Sequence, residues 1–177
     1  MSTFIQMTIA GIEGCEETTD SVSKESLDAY MKVLSIHSIL IEKSKKMVGD
    51  VLSEKESIEI LNLIPQANCH VIASAYVDLL VMDGHDVTLC HGIIPGVTDK
   101  GTGNMCEHSW IETSDGSIIE AWPIGALFAC PLIYPKGSLR SPFGANLYIK
   151  KDSTEKVVLS DPKIPSRIKM LKDLILS

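Results

Sequence analysis

The apolar residues of this chain change their period near residue 87, and the change separates a helical half from a half built of strands. From Ser23 or Lys24 to Val48, the residues Leu27, Met31, Leu34, Ile36, Ile39, Leu40, Ile41 and Met47 recur at helical spacing. They cover more than one stripe, which predicts a long helix buried on two sides. Glu25 and Asp28 in its first turns and Lys43, Lys45 and Lys46 in its last complement the helix dipole, and Gly49 is a natural stop. Ser53-Glu54-Lys55-Glu56 has the capping-box spacing for a short helix over 54–63. Pro65-Gln66-Ala67-Asn68 then caps a helix over 69–82, whose inward stripe is Cys69, Ile72, Ala75, Tyr76, Leu79 and Leu80 and which Asp83-Gly84 closes.

Beyond that point short apolar runs alternate with glycine and proline, predicting strands over 87–94, 107–113, 117–122, 146–150 and 156–159. Residues 95–105 read as a polar, glycine-containing loop, and residues 4–12 as an edge strand. A final amphipathic helix over 166–176 should dock through Ile168, Leu171 and Leu174 or Ile175. Helices first and a mostly antiparallel sheet afterwards is the segregated α+β pattern. One domain over 1–177 is expected, with a helical part at 1–64, a helix-plus-sheet core at 65–160 and a terminal helix in 161–177.

Composition narrows the classes of partner. The 23 acidic and 16 basic residues give a formal charge of −7, which disfavours nucleic acid or an anionic membrane as a partner. Apolar stretches are interrupted well short of the roughly 20 residues of a membrane span. Residues 1–7 lack the basic region and apolar core of a secretory signal. The five cysteines are an odd number without regular spacing, so free thiols in a reducing, cytoplasmic setting are expected, with export by a dedicated secretion system also compatible.

The chemistry lies in three residues. Cys69 opens a helix, His108 lies on a strand reading Glu107-His108-Ser109-Trp110-Ile111-Glu112, and Glu120 lies on the next strand, Ser117-Ile118-Ile119-Glu120-Ala121-Trp122. A thiol needs ionising before it attacks, and a helix N-terminus and a nearby imidazolium both lower its pKa. A carboxylate behind the imidazole completes a nucleophile, base and orienter. Hairpin register decides whether the last two can meet. A two-residue Asp115-Gly116 turn would put His108 and Glu120 on opposite faces of the sheet. A three-residue loop, Ser114-Asp115-Gly116 with Gly116 left-handed, would face Thr113 with Ser117 and make His108 and Glu120 diagonal neighbours.

Each residue also has a plainer reading. Cys69 fits a small buried hydrophobe, His108 a hydrogen-bonded sheet histidine and Glu120 a solvated strand residue. Glu112, Asp115 and Asp161 are alternatives to Glu120. Gln66 and the Cys69 backbone N–H are candidate oxyanion donors, Asn68 a helix cap, and Trp110 and Trp122 core or cleft wall. Cys90-His91 and Cys106-x-His108 with Cys130 offer ligand types for zinc, but no C-x₂-C pair exists and Cys90 and His91 should point to opposite faces. Gly96, Gly101 and Gly103 make no phosphate-binding pattern. No cofactor is expected.

Cys69 with Ala73, Leu79 and Gly84, then Val87-Thr88-Leu89, Gly92-Ile93, His108-Ser109-Trp110-Ile111-Glu112, Gly116 and Glu120, resembles the transglutaminase-like branch of the papain-like cysteine enzymes. It is especially similar to compact bacterial forms such as the leader-peptide proteases of lasso-peptide pathways. The likeness covers residues 66 to about 124. It implies a papain-like fold, Cys69 as nucleophile, His108 as base, Glu120 as orienter, and hydrolysis or transfer at an amide of a protein or peptide: protease, glutamine deamidase or transglutaminase chemistry. Three positions depart from the family pattern: Ser109 stands for alanine, Glu120 for aspartate or asparagine, and His70 follows the nucleophile directly. The competing expectation is a non-catalytic protein-binding module on the same scaffold.

Overall fold

A computed structural model describes residues 22–48, 69–98, 101–121, 131–136, 149–150 and 162–177. The chain runs α1 (Lys24–Val48), α2 (Cys69–Met82), β1 (Val87–Thr98), β2 (Gly101–Thr113), β3 (Ile118–Glu120), β4 (Leu132–Tyr134), β5 (Ile149–Lys150) and α3 (Ile164–Leu176). It is an α+β arrangement with a five-stranded sheet in the order β4-β3-β2-β1-β5. All four strand pairings of this sheet are antiparallel.

Helix boundaries follow local chemistry. Ser23 caps α1: its hydroxyl accepts the Ser26 backbone N–H at 3.1 Å, the N-cap-to-N3 bond that satisfies one orphan donor. α2 ends where Gly84 adopts φ +87°. The His85 N–H donates to the Leu80 carbonyl and the Gly84 N–H to the Val81 carbonyl, both at 3.0 Å, which is the Schellman pattern. α3 begins at Ile164, earlier than the expected 166, because Pro165 occupies the first turn, where its missing N–H costs nothing.

α2 is apolar nearly all round because it is enclosed. It packs on β1 and β2 on one side and against α1 and α3 on the other. Ile72, Tyr76 and Leu80 from α2, Val33 and Leu40 from α1, and Ile111 and Ile119 from the sheet are fully buried in one cluster. Ile164, Leu171 and Ile175 add the inner stripe of α3, with Ile168 and Leu174 at its margin. The opposite sheet face carries a second cluster: Cys90, Trp110, Ile118, Leu132 and Tyr134. Cys90 and His91 thus lie on opposite faces, as neighbours on a strand must.

The expected loop over 95–105 is corrected. β1 continues to Thr98 and β2 starts at Gly101, so 95–98 and 101–105 belong to a β-arm paired out to Thr98↔Gly101. Proline and glycine disguise it: Pro95 lacks a ladder donor, and the register shifts between Pro95 and Val97, where an irregularity accommodates it. The three-residue strand β4 is a further element that the sequence pattern does not predict. The expected elements at 4–12, 54–63 and 156–159 lie outside the described residues. Among the described residues no helix is long and apolar enough to cross a membrane.

Candidate active site

The turn after β2 sets the site's geometry. Ile111 faces Ile119 and Glu112 faces Ile118, so the register carries Thr113 opposite Ser117. The Thr113 N–H donates to the Ser117 carbonyl at 3.0 Å, the Gly116 N–H donates to the Thr113 carbonyl at 2.8 Å, and Gly116 has φ +82°. This is the three-residue loop with a left-handed glycine. Asp115 braces it: Oδ1 accepts the Ser117 N–H at 2.7 Å and the Thr113 hydroxyl at 2.8 Å, while Oδ2 accepts the Ser23 N–H at 2.8 Å. Burial works against the Asp115 charge, but the donors at Ser23, Ser117 and Thr113 prevail and hold its carboxyl well below the usual carboxylate range. The turn is thereby tied to the start of α1.

That register puts His108, Trp110 and Glu120 on one face. His108 Nε2 lies 3.0 and 2.9 Å from the two Glu120 carboxylate oxygens. Both residues are only 2% exposed. Trp110, fully buried and directly across from Glu120, lies alongside the His108 ring with centroids 6.2 Å apart and planes at 23°. It shields the His108–Glu120 bond from water, which strengthens it.

Cys69, at the first residue of α2, stays partly exposed. Burial favours its neutral thiol, but hydrogen bonding to His108 and to His70, with their electrostatic pull, outweighs it and brings the pKa from 9.0 down to about 6. Burial likewise opposes a charge on His108, yet its bonds to Cys69 and Glu120 and their negative charge raise it from 6.5 to about 9. With Nε2 given to Glu120, Nδ1 is the nitrogen left for the thiol. The two opposite shifts favour a thiolate beside an imidazolium.

A second group of imidazoles lies on the helix-facing side. His70 Nδ1 is 2.6 Å from Ser109 Oγ, and His91 Nδ1 is 3.2 Å from the same oxygen. The His70 and His91 rings stack obliquely, centroids 4.8 Å apart. Ser109 and His91 face each other across β2 and β1. A thiol reached by His108 from one sheet face and by a helix residue bonded to the other lies at the sheet's margin.

Of the alternatives to Glu120, Glu112 accepts from the Cys90 thiol at 3.7 Å, and Asp115 closes the turn. Asp161, Gln66, Asn68 and Trp122 lie outside the described residues, as do Cys15 and Cys130. Among the described residues, no three His, Cys, Asp or Glu side chains are arranged to hold a metal ion. The sequence marks His70 and Ser109 as departures from the pattern of the family it resembles and gives no catalytic role to His91. Their meeting joins a helix to two strands, and no local signal announces it.

No protein-family model, no curated protein and no solved structure matches the chain. The functional reading therefore rests on the geometry.

Proposed function

We propose that this chain is a cysteine-dependent acyl-transfer enzyme of the papain-like, transglutaminase-like kind, acting on amide bonds of a protein or peptide. One observation carries the reading: a partly exposed helix-start thiol and a buried carboxylate both engage the same imidazole, Nε2 of which lies within 3.0 Å of both Glu120 oxygens. The Cys69 thiolate attacks the carbonyl carbon, a C–S bond forms, and the C=O electron pair moves to oxygen. Backbone N–H groups at the start of α2, Cys69's own among them, lack helical carbonyl partners and suit that oxyanion. The intermediate collapses, the C–N bond breaks, and the amine leaves with the His108 proton. Water or an amine then resolves the thioester, with the imidazole as base and Glu120 orienting it.

A partly exposed thiol with its base and orienter sealed behind it suits a carbonyl presented by a larger molecule. The β-arm of 95–98 and 101–105, in place of an open loop, extends the two strands that carry His91 and His108.

The test is iodoacetamide labelling of Cys69 across pH 4 to 10, read by peptide mass spectrometry. The wild-type rate should reach half its plateau near pH 6 instead of 9. His108→Ala should raise that midpoint. Acyl transfer, which needs both thiolate and imidazolium, should follow a bell with limbs near 6 and 9. Labelling of Cys69 only on unfolding would sink the reading and favour a binding module.

A further inference from the structure

We propose that His70 is a second catalytic imidazole on the Cys69 sulfur, with Ser109 and His91 as positioning residues behind it. The inference rests on the Cys69–His108–Glu120 reading and extends it.

Proton supply at one oxygen sets the roles. Ser109 Oγ faces two imidazole nitrogens, His70 Nδ1 at 2.6 Å and His91 Nδ1 at 3.2 Å. A hydroxyl has one proton to donate, so at most one ring accepts it and at least one donates to the oxygen. His70 Nδ1 is engaged by Ser109, which leaves Nε2 for the sulfur that His70 also reaches. A thiolate can only accept, so Nε2 must carry a proton. In the singly protonated ring Nδ1 is then bare and takes the Ser109 proton, while His91 gives its Nδ1–H to Ser109. The chain has one direction: His91 to Ser109 to His70 to Cys69.

Position makes the chain rigid. His91 and Ser109 are 1% and 3% exposed. Their strand pairing fixes them opposite each other, and the His91 ring lies against that of His70. The first turn of α2 is held from within as well, because the Ser74 hydroxyl donates to the His70 carbonyl at 2.6 Å.

The two imidazoles divide the work on the sulfur. His108 must surrender its proton to the departing amine and then accepts one from the attacking water. His70 transfers none. In the second half-reaction the water oxygen bonds to the acyl carbon, the C–S bond breaks, and its electron pair returns to sulfur, while the water's proton goes to His108. The His70 Nε2–H meets that returning negative charge, so the thiolate is a better leaving group than His108 alone would make it.

The test uses the full chain and the same labelling profile in wild type, His108→Ala, His70→Phe, His70→Gln, Ser109→Ala and the His70→Phe/Ser109→Ala pair. His70→Phe should raise the Cys69 midpoint by about one pH unit and slow labelling at pH 6 about fivefold. His70→Gln, which keeps an N–H near the Nε2 position, should recover most of it. Ser109→Ala should shift it the same way as His70→Phe, by less. The double variant should be no worse than His70→Phe alone, because Ser109 acts through His70. A purely structural role would lower the melting temperature and leave the midpoint in place. A midpoint unchanged in His70→Phe, with His108→Ala still raising it, overturns this inference and leaves the triad standing. An ordinary midpoint in wild type overturns the triad itself. Should His70→Phe not fold, Ser109→Ala decides: a raised midpoint supports the hydrogen-bond chain, and an unmoved one refutes it.

Discussion

At the scale of single residues, the site depends on where one carboxylate is. Glu120 is 2% exposed and touches His108 with both oxygens, so its charge is felt with little screening by water. Replacing it by glutamine keeps an acceptor for Nε2–H but withdraws the charge that helps raise His108. The imidazolium weakens, and the thiolate it supports weakens with it. Glu120→Gln should therefore narrow the bell from both sides, with the labelling midpoint of Cys69 rising from about 6 and the alkaline limb of acyl transfer falling from about 9. Glu120→Ala is harsher, because it strands a buried imidazolium. Breaking such a pair costs about 3–5 kcal/mol, and urea unfolding would measure it. Cys69 was legible as the start of a capped helix, and strand alternation reduced the His108–Glu120 relation to a choice between two loop lengths, which the three-residue turn decides. The His70–Ser109–His91 group was not, since pairing a helix residue with two strands requires the tertiary fold. His70 and Ser109, which follow Cys69 and His108 and depart from the pattern of the family the sequence resembles, prove to be hydrogen-bonded to each other.

At the scale of elements, two glycines do comparable jobs with different reach. Gly84 at φ +87° ends α2, and a Cβ there would meet open space. Gly116 at φ +82° closes the hairpin, and a Cβ there would come within 2.9 Å of the Lys136 side chain, whose exposed, flexible stem can move aside. Alanine at either position accepts left-handed strain of about 1–2 kcal/mol. Gly84→Ala and Gly116→Ala should each lose about that much in urea unfolding, with the Cys69 midpoint unmoved near pH 6, because Asp115 and the Thr113–Ser117 pair hold the register. A midpoint that rose in Gly116→Ala alone would mean that the chain relieves the strain by slipping register and parting His108 from Glu120. The three described helices were legible to within two residues because periodic apolar positions and end signals agree there. The β-arm was hidden by Pro95, Gly96, Gly101 and Gly103, residues that carry little of the side-chain alternation by which a strand is recognised. β4 was hidden by its length, since Leu132–Tyr134 is too short to show a period.

At the scale of the whole molecule, the coupling of Cys69 to His108 makes a claim about stability as well as reactivity. In the unfolded chain Cys69 keeps its proton up to about 9.0, and His108 loses its own above about 6.5. In the folded chain the order reverses: the thiol ionises near 6 and the imidazole holds its proton to about 9. The depressed Cys69 pKa alone adds stability that is complete above 9 and is lost as pH falls through 6. The raised His108 pKa alone adds stability that is complete below 6.5 and is lost as pH rises through 9. Between 6.5 and 9 the two slopes are opposite and equal, because either state holds one proton on the pair and folding moves it from sulfur to nitrogen. The stability difference between wild type and a Cys69→Ala/His108→Gln/Glu120→Gln variant should therefore stay flat from pH 6.5 to 9 in urea unfolding, because removing the buried Glu120 together with its partner leaves no stranded carboxyl to titrate in that window. A thiol ionised by the helix N-terminus alone would release its proton to solvent on folding, and the difference would climb by about 1.4 kcal/mol per pH unit across that window. A flat difference together with a Cys69 labelling midpoint near 6 is the signature of proton exchange within the pair, and a climbing one would transfer the activation of Cys69 from His108 to the helix.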